Sequence, residues 1–189
     1  MLVFDDVEYF IGANSTKKNV KEISSLASKL EKEVNKKYGR EKNKIVKKCM
    51  KECIKTHKGK ERKTGGLYAK HPLEMSLNSL DYNVDYITLG GILLHDVVEE
   101  LVDEKVSRFN GNLSKKEKNK LKVELRNNHL VSLSHNFFEF LEKEKLYTPK
   151  YSNNTKELIS LVSKVSRYKT DKQTYYEYLK NLFSEKFVV

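Results

Sequence analysis

Proline and glycine are scarce in this chain: two and eight residues out of 189. So few breakers exclude a turn-rich all-β architecture and favour an all-α one. Cysteine is scarcer than a disulfide framework needs. Cys49 and Cys53 lie four apart in KKCMKECIK, one turn apart on the same face of a helix. That spacing suits a disulfide poorly and leaves a zinc site short of ligands, so both read as buried or half-exposed thiols in a reducing compartment. No apolar run approaches the roughly 20 residues that span a bilayer, so no membrane partner is expected. The opening MLVFDDVEYF carries acids where a secretory leader has a basic stretch, and a cytoplasmic location is expected.

What the chain has in abundance is charge. Charged residues make up 33% and apolar residues 38%, which is polar for a globular protein but still enough for one domain with a core, or one domain and a small extension. The net charge is +11. Such a field draws anionic ligands, although on charge alone a lysine-rich solvated surface is the better account. The lysines alternate with glutamates and asparagines and form no stripe with interleaved aromatics, which argues against nucleic acid as the partner.

Along the chain, Ser15 or Thr16 is placed to cap a helix running to about residue 37, with Val20, Ile23, Leu26, Leu30 and Val34 near helical spacing. Gly39 separates it from a second helix over about 41–57, whose buried face is Ile45, Val46, Cys49, Met50, Cys53 and Ile54. Residues 57–70, HKGKERKTGGLYAK, form a basic, glycine-containing loop. Pro72 suits the first turn of the next helix, to about residue 80, and Asp85 is placed to cap another over about 86–104. Residues 105–155 read as an insertion of two helices, near 114–128 and 130–145, ended by Pro149 and the Ser-Asn-Asn run at 152–154. Helices near 155–167 and 171–187 close the chain.

The helix over 86–104 is apolar around most of its circumference and so is expected to be buried. Gly90 and Gly91 each cost it about 1 kcal/mol of propensity, which implies close approach of a neighbouring helix. His95, Asp96, Glu99 and Glu100 are its polar exception and fall within an arc of about 140°. Taken alone they are either a solvated stripe or a site. His71, beside Pro72 at the start of the preceding helix, favours the site: two imidazoles and a carboxylate suit a divalent cation such as Mn, Fe or Zn, and a cation offsets the cost of burying acids.

Two stretches in order, HKGKERKTGGLYAKHP and HDVVEE, resemble the HD-domain hydrolases of the RelA/SpoT type, whose pattern runs HxGQxRKSGxxYxxHP and then HDVVED. The likeness covers about a quarter of the chain, with the interval between the motifs preserved. Lys60 stands where the family has glutamine, Thr64 where it has serine, and Glu100 where it has aspartate.

The resemblance implies an HD-domain helical bundle over 41–189, with an N-terminal helical extension over 1–40 and the insertion at about 105–155. It implies metal-dependent removal of the 3′-pyrophosphate of the alarmone (p)ppGpp, an anionic nucleotide. His71, His95 and Asp96 take the place of metal ligands, typically for Mn2+. Glu99 takes that of the acid serving the attacking water, with Glu100 beside it. Arg62, Lys63 and Thr64 match the segment that contacts the nucleotide base. Tyr68 matches a family position with packing as its role, and His57 reads as structural. The stretch LVSKVSRYK, Leu161 to Lys169, is similar to a family segment near the site. The family's fourth ligand, an aspartate in a K-A-D-R-x-x-N motif, falls after the last helix, and the sequence ends at Val189 before it; either the sequence is cut short of the family domain's end or another acid, with Asp171 a candidate, substitutes. The alternatives are a catalytically incomplete nucleotide-binding module and, from the charge, a basic nucleic-acid adaptor. No synthetase domain fits in the chain. His129 and His135 read as surface or packing residues, and Tyr175, Tyr176 and Tyr178 as core and boundary residues.

Overall fold

A computed structural model describes residues 17–62, 66–109 and 113–166, and these fold as an all-α bundle. Helix α1, Lys17–Tyr38, buries Val20, Ile23, Ala27, Leu30 and Val34, a stripe at helical spacing. It ends at Gly39, whose φ of 83° lies in the region where only glycine is unstrained and whose N–H donates to the Asn35 carbonyl. The chain then turns into α2, Arg40–Thr56, which packs on α1 through the predicted apolar face. Cys49 and Cys53 are free and fully buried on that face, and burial pushes both thiols far above their ordinary range.

Helix α3, Lys70–Ser79, has Pro72 in its first turn and continues into a 3-10 turn, Leu80–Tyr82. Helix α4, Tyr86–Leu94, is the centre of the bundle, packed against α2, α3 and a C-terminal helix, α7, Pro149–Val165. Asp85 caps α4 as expected, accepting from the Thr88 N–H at 2.6 Å. The two glycines have the reason the sequence implied. A Cβ on Gly90 would stand 3.0 Å from Leu158 and 3.1 Å from Cys49, and one on Gly91 2.4 Å from Leu161.

Three boundaries differ from expectation. The single helix over 86–104 is two, α4 and α5, Val97–Arg108, joined by His95 and Asp96. The cause is local: His95 Nδ1 bonds the Ile92 carbonyl at 2.7 Å, the acceptor a continuous helix reserves for the N–H of Asp96. The two insertion helices are one, α6, Lys115–Lys143, started by a capping box between Ser114 and Glu117. Its polar first half is held from outside, by Lys122 on Asp103 at 2.7 Å and by Arg126 on the Ser163 carbonyl, and Leu133, Phe137 and Leu141 then continue it into the core. Pro149 and the 152–154 run do not break the chain. Proline is the first residue of α7, Thr148 caps it, and Asn154 bonds the Tyr86 hydroxyl on α4. The caps expected at Ser15 and Thr16 and the helix at 171–187 lie outside the described residues. Among the described residues no helix is long and apolar enough to cross a membrane, and the sole β contact is an isolated bridge between Glu61 and Leu67.

Candidate metal centre

His71 is the second residue of α3, and His95 and Asp96 are the link between α4 and α5. Packing of α3 on α4 brings them together. One ligating atom from each lies within 4.8 Å of the others. The two imidazoles meet edge to face, centroids 5.7 Å apart at 72°, and His95 Nε2 lies 3.0 Å from Asp96 Oδ2. With ligand bonds of about 2.1 Å, neighbouring ligands at right angles are about 3.0 Å apart and opposite ones about 4.2 Å. The 3.0 Å between His95 and Asp96 fits neighbouring ligands, the trio could hold one ion, and two imidazoles with a carboxylate suit Mn, Fe, Zn or a similar ion.

The protonation states follow from the surroundings. A carbonyl only accepts, so His95 Nδ1 is the donor to Ile92 and Nε2 is the nitrogen turned toward Asp96. Burial pulls the His95 pKa down, but the hydrogen bond and charge of Asp96, the Ile92 carbonyl and Glu99 together carry it above its ordinary value. Burial would raise the Asp96 carboxyl, and the His95 hydrogen bond with the charges of His95, His57 and His71 holds it below its usual range instead. His71 is depressed by burial first, then by the charges of Arg62 and His95, which favours the neutral ring a cation needs.

Residues 57–62 and 66–69 lie between α2 and α3 and pair with one another. The Tyr68 N–H donates to the Lys60 carbonyl at 2.9 Å and the Arg62 N–H to the Gly66 carbonyl at 3.0 Å. Tyr68 stacks on the buried His57, centroids 4.7 Å apart at 22°, and carries the Arg62 guanidinium 5.8 Å from its ring centre. Burial, then the charges of Asp96 and Glu100, lift its hydroxyl to about 12. No family model, curated protein or solved structure matches the chain.

Of the residues singled out in the sequence, His71, His95 and Asp96 converge, and Glu99 and Glu100 stand half-buried in the first turn of α5 just beyond them. Arg62 is exposed at the rim. Lys63, Thr64 and Asp171 lie outside the described residues. His129 and His135 lie on α6, and the exposed His135 pairs with Glu139. Two participants were not assigned a role at the site. Lys60, marked only as a departure from a glutamine, places its ammonium 2.8 Å from Glu100 and 3.5 Å from Glu104. Tyr68, read as packing, stacks on His57 and lies under Arg62, and the charge of Asp96 helps to raise its hydroxyl. The signal for both was their position inside the matched motif; the partner each takes up depends on tertiary packing.

Proposed function

We propose that the chain is a metal-dependent phosphohydrolase of the HD type, acting on the 3′-pyrophosphate of (p)ppGpp or a related nucleotide with Mn2+ as the ion. The observation that carries the reading is the meeting of His71 with His95 and Asp96 across two helices. Three potential ligands brought together from separate segments are hard to explain as a solvated stripe. A bound cation lowers the pKa of its water and polarises a phosphoryl oxygen. The chain's own residues do the rest. Glu99, one turn after Asp96, accepts the proton of the attacking water. Glu100 is engaged by Lys60. Arg62, held over Tyr68 at the rim, meets the nucleotide, drawn in by the net charge of +11.

The test is purified protein with Mn2+ and the alarmone. Release of pyrophosphate, lost in His95→Ala and in Glu99→Gln, supports the reading. Nucleotide binding without product selects the binding module instead. Binding of neither metal nor nucleotide overturns both.

A further inference from the structure

The three potential ligands come from two pieces of chain: His71 follows directly on the 57–69 loop, while His95 and Asp96 precede α5. Short-range contacts that fix one piece against the other therefore decide whether the trio closes. Among the described residues a salt bridge spans them at this point. Lys60 leaves the loop and sets its ammonium between two carboxylates one turn apart on α5, 2.8 Å from Glu100 and 3.5 Å from Glu104. The pair with Glu100 is about three-quarters buried on both sides, at 29% and 26% exposure, so solvent screens it less than a surface pair. The same residue is anchored at its backbone, its N–H on the His57 carbonyl and its carbonyl on the Tyr68 N–H. Lys60 thus fastens the segment that delivers His71 to the helix that follows His95 and Asp96.

We infer that Lys60 is a positioning residue of the metal centre, setting the separation of His71 from the His95–Asp96 pair through its bridge to Glu100 and Glu104. This rests on the metal-centre reading proposed above. It makes a prediction whose sign separates it from plain electrostatics. Removing a positive charge near a cation site should tighten cation binding. Loss of a positioning contact should weaken it, by about tenfold to a hundredfold if it acts as other supports of a metal ligand do.

The experiment measures the Mn2+ dissociation constant of the full chain by calorimetry, with circular dichroism to verify the fold. Lys60→Met is expected to weaken binding by about tenfold or more, and Lys60→Arg, which keeps the charge and can reach both carboxylates, to stay close to wild type. If Lys60→Met fails to fold, the charge-reversed pair decides: Lys60→Glu should weaken binding, and Lys60→Glu with Glu100→Lys should recover it. Unchanged or tighter binding in Lys60→Met, or no recovery in the reversed pair, overturns the inference and leaves the metal centre standing. A wild-type chain that binds no Mn2+ removes the metal centre, and the inference with it.

Discussion

Gly90 lies against Leu158 so closely that a Cβ on it would meet the leucine's Cδ1 at 3.0 Å and Cys49 Sγ at 3.1 Å. Gly91, its neighbour, is nominally tighter, at 2.4 Å from Leu161 Cδ2. Distance alone would make Gly91→Ala the worse substitution. Burial reverses the order. Leu158 and Cys49 are fully buried and have nowhere to move, whereas Leu161 is half-buried and can swing its end outward. Each alanine gains about 1 kcal/mol of helix propensity, against an overpacking cost of about 1–3 kcal/mol. We expect Gly90→Ala to lower stability by about 1 kcal/mol and Gly91→Ala to be nearly neutral. Urea titrations of the two variants check the order, and a Gly91→Ala protein less stable than Gly90→Ala contradicts it.

Those glycines also mark how far the sequence could be read. Their side-by-side position in an apolar run implied a close helix, and α7 is there. The apolar stripes of α1 and α2 and the Asp85 cap were equally legible, because propensity, pattern and capping all point the same way at those sites. The break at His95–Asp96 was not. It depends on a side chain taking a main-chain acceptor, and the pattern of apolar residues runs through it undisturbed. Pro149 was misread for a related reason: a proline marks the end of one helix or the start of the next, and Thr148 before it selects the start. At the centre, His71, His95 and Asp96 were legible from residue type, whereas the bond from Lys60 to Glu100 joins positions 40 apart in sequence and needed the fold to be seen.

The N-cap of α4 carries weight beyond its own turn, since α4 leads directly into His95. Asp85 accepts from the Thr88 N–H at 2.6 Å. Asp85→Ala should cost about 1 kcal/mol, and Asp85→Ser or Asp85→Asn, which keep an acceptor, much less. Thermal melts of the three variants test this. Equal losses from alanine and asparagine would show that the charge of Asp85 matters and its capping does not.

His57 predicts an acid-sensitive fold. Its ring is 2% exposed, and neither nitrogen has a hydrogen-bond partner among the described residues. Burial first, then the charges of Lys60, His95 and His71, drive its pKa down to about 4, with Asp96 opposing. The unfolded chain takes up this proton near pH 6.5. Between about 6.5 and 4 the unfolded state therefore holds the extra proton, and stability falls as the pH falls. At roughly 1.4 kcal/mol per pH unit the loss reaches about 3 kcal/mol. His71, also depressed, acts in the same direction and the raised His95 in the opposite one. The informative quantity is therefore the difference between wild type and His57→Phe, which keeps a ring against Tyr68. Urea midpoints measured at about pH 7 and about pH 4.5 should differ less in the variant than in wild type, and parallel pH profiles would exclude His57 as the source.

A proton on His95 would compete directly with a metal bound at the proposed centre. Nδ1 is committed to the Ile92 carbonyl, so the proton that titrates sits on Nε2, 3.0 Å from Asp96 Oδ2, on the atom a cation must use. Because Asp96 and Glu99 raise the His95 pKa against the effect of burial, the competition extends above the ordinary value of about 6.5. Below the raised pKa, Mn2+ affinity should fall by about tenfold for each pH unit; above it, affinity should level off. His71, depressed by burial, is neutral through that upper range and adds no second slope there. Calorimetry in buffers of different ionisation enthalpy counts the protons directly. Binding should release about one proton at about pH 6 and fewer as the pH rises. A Mn2+ affinity independent of pH from about 6 to 8 would mean that the ion does not bind through His95 Nε2.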